Sequence, residues 1–152
     1  QELLSENCEL AEARVSSLSS ELYALGKILT DPNAKEEIGE ENYRMLQKRY
    51  HLSQIKTYLF FKKLKQRCNE TSPIILYYYK PNDAKSKEQG IILDSLVADN
   101  KNLHVFAIEY NFSKELTFLE RAYGIYDAPA LVINYKDVRV GLTKKEDILK
   151  KV

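Results

Sequence analysis

Apolar or small residues recur at Leu4, Cys8, Ala11, Val15, Leu18, Leu22, Leu25 and Leu29, spaced alternately by four and three. That is a heptad seam, the pattern of a helix that packs along one stripe against another helix. Thr30-Asp31-Pro32-Asn33 ends it, because proline restricts the residue before it and lacks the N–H that would continue the ladder. A loose connection from Asp31 to Gly39 leads to a second helical stretch, about Glu40 to Arg67. Its apolar face is Tyr43, Leu46, Tyr50, Ile55, Tyr58, Leu59, Phe61 and Leu64.

Past Asn69 the period changes. Ile74 to Tyr79 and Leu103 to Ile108 are short apolar runs of strand length. Between them lie Pro81, a helix-opening turn, and Lys87-Glu88-Gln89-Gly90 running into Ile91, Ile92, Leu93 and Leu96. Ser113 is expected to cap a helix through Leu116, Leu119 and Tyr123. Leu131 to Tyr135 reads as a third strand, Lys136-Asp137 as a turn, and Val138 to Leu142 as a fourth strand. Thr143-Lys144-Lys145-Glu146 has the form of a capping box opening the last helix. The short polar join from Asn69 to Pro73 divides the chain into a helical extension, 1–70, and an α/β domain, 71–152.

Charge bears on how the two long helices lie. Gln1 to Glu41 carries ten acidic and three basic residues, whereas Asn42 to Asn69 carries eight basic and none acidic, so a net charge of +1 conceals a dipolar helical half. An antiparallel hairpin sets the acidic helix beside the basic one, each flanking pair adding a few tenths of a kcal/mol to burial at about 25 cal/mol per Å². The alternative is a parallel coiled coil between the first helices of two copies. A hairpin also brings Cys8 and Cys68 to its open base, where a disulfide is possible if geometry permits; the bland reading is a small seam residue and a free thiol.

The second half resembles thioredoxin-like proteins. In that family a tyrosine-rich strand leads through Pro-x-Cys-x-x-Cys-Lys-x-Gln into the active-site helix; here Tyr77-Tyr78-Tyr79 leads through Pro81 to Asp83-Ala84-Lys85-Ser86, then Lys87 and Gln89. The order β-α-β-α-β-β-α from roughly Pro73 to Val152 is that of the minimal thioredoxin core, which implies a four-stranded mixed sheet. Pro129 matches the proline that the family holds in cis before its third strand. Asp83 and Ser86 take the places of the nucleophilic and resolving cysteines, so this turn cannot exchange disulfides. The resemblance also implies a shallow groove for extended polypeptide, made of Tyr79, Lys80, Pro81, Asn82, Asp83 and Ala84 on one side and Tyr126, Asp127, Ala128 and Pro129 on the other.

Other chemistry finds little footing. Asp83 reads first as a helix cap and only second as a base or ligand. Ser86 has no histidine near it in sequence; His104 lies in an apolar strand and His51 in a basic helix, where it is expected to be solvated. Two distant histidines and two cysteines give no zinc spacing, there is no glycine-rich phosphate loop, and neither metal nor cofactor is expected. The basic helix could grip nucleic acid or an anionic membrane, but neutralisation by the first helix is the preferred reading, with Lys62, Lys63 and Lys65 least covered.

The reading that remains is a redox-inactive thioredoxin-like binding, chaperone-like or assembly module that captures peptide or a protein partner, held at a membrane or within a larger complex. Two alternatives stand beside it: a thiol-disulfide oxidoreductase using Cys8 or Cys68, and a structural subunit that oligomerises through its first helix. A disulfide would indicate an oxidising compartment, with the cytoplasm as the alternative. The sequons Asn69-Glu70-Thr71 and Asn111-Phe112-Ser113 add little, since roughly one is expected by chance. The sequence opens at Gln1 within a helical pattern, so an upstream membrane anchor or a removed signal peptide is expected.

Overall fold

The computed structural model describes residues 2–69 and 72–152; the side chain of Leu4 in the expected seam, and Glu70 and Thr71 of the first sequon and the expected boundary, lie outside the described residues. The chain forms two compact units, Gln1–Thr71 and Ser72–Val152. The first is all helix, and the second is mixed α/β with a four-stranded mixed sheet.

In the helical unit, α1 (Glu2–Thr30) and α3 (Glu40–Cys68) run antiparallel. Tyr43 Oη donates to Leu29 O at 3.3 Å at one end, and Cys8 and Cys68 form a disulfide with a Cα–Cα distance of 5.9 Å at the other. The heptad positions of α1 face inward: Val15 and Leu22 are buried, and Cys8, Ala11, Leu18, Leu25 and Leu29 are half-buried. A fully buried side chain of this size contributes about 1.5–3 kcal/mol, so the seam rather than surface charge supplies the hairpin's stability.

The connection between the long helices is less loose than its composition indicates. Asp31 Oδ1 accepts from Asn33 N at 3.0 Å and Asp31 O from Ala34 N at 3.0 Å, which starts the short helix α2 (Ala34–Ile38) directly after Pro32. Gly39, at φ 87°, then turns the chain into α3, a conformation that a side chain would strain.

In the second unit the strands are β1 (Ile74–Tyr79), β2 (His104–Glu109), β3 (Ala130–Ile133) and β4 (Asp137–Val140), in the sheet order β2-β1-β3-β4. β1 pairs parallel with β2 and antiparallel with β3, and β3 pairs antiparallel with β4. Helices α4 (Ala84–Asp99) and α6 (Lys145–Leu149) contribute Leu93, Leu96 and Ile148 to a core with Ile75, Tyr77, Leu103, Leu131 and Ile133. The two-residue period of a strand turns Ile74, Leu76 and Tyr78 to the opposite face, and Tyr78 there feels Glu120 and Tyr123 of α5 (Phe118–Tyr123). Central β1 is covered on both faces, which is why it reads as an unbroken apolar run.

Three local expectations are corrected. Ser113 makes no side-chain cap: its carbonyl accepts from Leu116 N at 3.1 Å, closing a 3-10 turn (Lys114–Leu116), and its hydroxyl is buried. The expected helix is therefore split before α5. The β3–β4 turn falls at Asn134–Lys136, not Lys136-Asp137, because Asn134 (φ 51°) and Tyr135 (φ 65°) adopt the positive φ of a tight hairpin turn that Lys136 N closes on Ile133 O at 3.1 Å. The capping box at Thr143 does not form either; Thr143 is bound instead to Gln89 of α4, and Lys144 takes the N-cap position of α6.

Candidate functional site

The turn between β1 and α4 is built from a chain of hydrogen bonds. Asp83 is the N-cap of α4: its Oδ2 accepts from Ser86 N at 3.0 Å and from Ser86 Oγ at 2.9 Å. Ser86 Oγ in turn accepts from Lys80 N at 3.0 Å, so the hydroxyl bridges the strand end to the helix start. Tyr77 Oη donates to Ser86 O. Burial, then the carboxylates of Asp83 and Asp94, push the Tyr77 phenol up to about 12, which keeps it a donor. Ser86 is buried and its hydroxyl fully used, so it has neither the access nor the activating base of a nucleophile.

Gln89 fixes the next turn of the helix. It is fully buried and clamps one backbone position, donating from Nε2 to Thr143 O at 3.2 Å and accepting at Oε1 from Thr143 N at 2.8 Å. This tie between α4 and the segment before α6 was absent from the sequence reading; a lone glutamine at the end of Lys-x-Gln carries no signal of a partner 54 residues away.

Across from the turn, the Ala128–Pro129 peptide is cis, and Pro129 O accepts from Gly141 N at 2.8 Å. Asp127 Oδ1 accepts from Ala128 N at 2.9 Å and from Lys80 Nζ at 2.9 Å, joining this loop to the end of β1. The hydrogen bond to Lys80, then the one from Ala128 N, holds the Asp127 carboxyl below its usual range; the same bond raises the Lys80 ammonium. Both side chains remain substantially exposed, so the pair orients the surface more than it stabilises the fold.

The expected groove residues are therefore brought together in part. Lys80, Asp127 and Ala128 are linked directly, Pro81, Asn82, Ala84 and Lys85 are exposed on the turn, and Tyr126 stands 77% exposed. Tyr79 is half-buried and packs at 5.8 Å on Tyr77. Cys8 and Cys68 belong to the helical unit and are bonded to each other.

A second polar group, on the other face of β1, was not anticipated. Glu120 is buried, accepts from Asn111 N at 3.0 Å, and has its carboxyl raised by desolvation. Tyr78 Oη is fully buried and makes no hydrogen bond among the described residues, and its phenol is raised well above the usual range by burial and by Glu120. Flanked by Leu119 and Arg121, Glu120 looks in sequence like an ordinary surface acid of a helix.

The histidine expectation also fails. His51 is 2% exposed, and desolvation lowers its imidazole to about 4. Among the described residues no group of three or more His, Cys, Asp or Glu side chains converges, and no helix is long and apolar enough to cross a membrane.

No family model matches this chain, and no curated protein matches it. Among solved structures, one titled "Structure of a malarial protein" is similar over 53% of this chain and 92% of its own, at 14% identity and a TM-score of 0.45.

Proposed function

We propose that the Ser72–Val152 unit is a thioredoxin-like domain without redox thiols, and that it serves as a non-covalent binding module for an extended peptide or a protein partner. The single observation that carries this reading is the surface around the Lys80–Asp127 pair: an exposed Tyr126, an exposed turn at Pro81-Asn82, and the loop before β3 held in place by Asp127. An exposed aromatic ring beside fixed charges suits contact with an extended chain, while Ala128 N and Pro129 O are already bound within the domain. The β2-β1-β3-β4 order and the cis Ala128–Pro129 bond support the thioredoxin-like assignment.

Asp83 and Ser86 give each other their polar atoms, which leaves the turn a scaffold. Cys8 and Cys68 are bonded to each other, so exchange there would begin with attack of an external thiolate on that bond. That disulfide favours an oxidising, extracytoplasmic setting.

The test is a titration of isotope-labelled chain with a degenerate pool of extended hexapeptides, followed by amide chemical shifts. Perturbations are expected to cluster at 80–84 and 126–130. Saturable binding that leaves those residues unmoved, or no binding at millimolar peptide, contradicts the proposal.

A further inference from the structure

The disulfide at the open base of the hairpin is not sealed within the seam. Cys8 and Cys68 are half-buried and both line a hollow of about 170 Å³, walled by Ala11, Phe60 and Leu64 and flanked by the exposed Lys63 and Arg67. Phe60, Lys63, Leu64, Arg67 and Cys68 follow one another in steps of three and one, which is a single face of α3, so the helix itself sets two cations beside the bond.

Nothing neutralises those cations. Among the described residues Lys63 and Arg67 form no ion pair and no carboxylate lines the hollow; Glu9 and Glu12 of α1 are exposed and form no part of it. The C-terminal end of α3 opposes an anion here with the equivalent of roughly half a negative charge, which two full cations exceed.

We infer that this hollow is a thiol-exchange site, at which the Cys8–Cys68 bond is opened by a small thiol that carries a negative charge. The disulfide restricts the reactant to a thiol, and the cations choose among thiols. The incoming thiolate bonds to one cysteine sulfur as the Cys8–Cys68 bond breaks, and the electron pair leaves on the other cysteine as a thiolate. A second thiolate attacks the mixed disulfide, so two small thiols become one small disulfide and the protein gains two thiols, which take up their protons. Positive charge acts on both sides of the first step: it concentrates an anionic thiol near the bond and stabilises the thiolate that leaves. Cys8 and Ala11 are half-buried while Val15 and Leu22 are buried, so opening the link releases the first turns of α1 and leaves the rest of the seam closed. The site belongs to the helical unit and does not rest on the peptide surface proposed for the sheet unit.

The experiment exposes the folded full chain, at low salt and equal thiolate concentration, to mercaptoethanesulfonate, mercaptoethanol and cysteamine, which are negative, neutral and positive. Opening is followed by intact mass after acid quench. Each rate is divided by that thiol's rate with a neutral small disulfide, which removes intrinsic nucleophilicity. Mercaptoethanesulfonate is expected to be faster than mercaptoethanol by about fivefold or more, with cysteamine slowest and the order flattened by added salt. Lys63→Gln/Arg67→Gln is expected to bring the three rates within about twofold of one another, whereas Arg49→Gln/Lys56→Gln, which removes the same charge elsewhere on α3, keeps the preference. Equal normalised rates in the wild type overturn the site, and so does an equal loss of preference in both variants, which would assign it to the general field of α3. Opening no faster than the chain unfolds, or no opening by any of the three thiols, makes the bond a staple alone and also overturns it.

Discussion

Single side chains decide what this molecule can do. Ser86 has the identity of a nucleophile, but it donates to Asp83 and accepts from Lys80 N, so its chemistry is spent on shape. His51 carries an energetic consequence. Its folded pKa of about 4 lies below the ordinary value of 6.5, so protons favour the unfolded chain. The stabilising difference is complete above about pH 6.5 and is lost as pH falls towards 4, on the order of 3 kcal/mol in all. Urea unfolding at pH 7.5, 5.5 and 4, with wild type compared against His51→Leu, is expected to show that component only in the wild type; parallel pH profiles would place the imidazole in water. Tyr78 makes the opposite case. A fully buried hydroxyl without a hydrogen bond costs its desolvation, so Tyr78→Phe is expected to raise stability by about 1 kcal/mol. Chemical denaturation checks it, and a loss of similar size would mean the hydroxyl has a partner that matters. Neither environment could be read from sequence, because both depend on what covers the residue rather than on its neighbours in the chain.

Elements were legible where the signal was periodic. The seam from Cys8 to Leu29 specified α1 and its inner face, and six consecutive β-formers specified β1 from Ile74 to Tyr79. Element ends were legible only where the capping group had no rival. Asp83 caps α4 as its position indicates, while Thr143 fits a capping box in sequence but is claimed by Gln89 from another element. Ser113 lost its cap to a 3-10 turn, and the β3–β4 turn moved because Tyr135 accepts a left-handed conformation that its residue type seldom adopts. The disulfide follows from the same periodicity, since antiparallel packing of α1 on α3 is what brings Cys8 to Cys68. Closing a separation of 60 residues stabilises the helical unit by about 4 kcal/mol through the entropy of the unfolded chain. Cys8→Ser/Cys68→Ser is expected to lower the unit's denaturation midpoint by that measure, by circular dichroism in urea, with the helices retained in buffer; an unchanged midpoint would show that the link adds nothing to the hairpin.

At the scale of the whole chain, two compact units carry two different surfaces. The candidate site of the sheet unit, Lys80 to Ser86 and Tyr126 to Pro129, is implied by the thioredoxin-like resemblance; periodicity locates only the elements on either side of those loops. The Lys80–Asp127 pair that joins the two loops, and the Gln89 clamp that ties α4 to Thr143, have no sequence signal, since each links residues far apart in the chain. On the function proposed above, Tyr126 and the Lys80–Asp127 pair hold an extended peptide without covalent chemistry. The most direct measurement is the affinity of the tightest hexapeptide from the pool for wild type and for Lys80→Ala/Tyr126→Ala, whose changes lie on an exposed surface. Loss of an aromatic anchor and its charged neighbour is expected to raise Kd at least tenfold, about 1.4 kcal/mol, at an unchanged melting temperature. An identical Kd in the two chains would mean that peptide is not held at this surface.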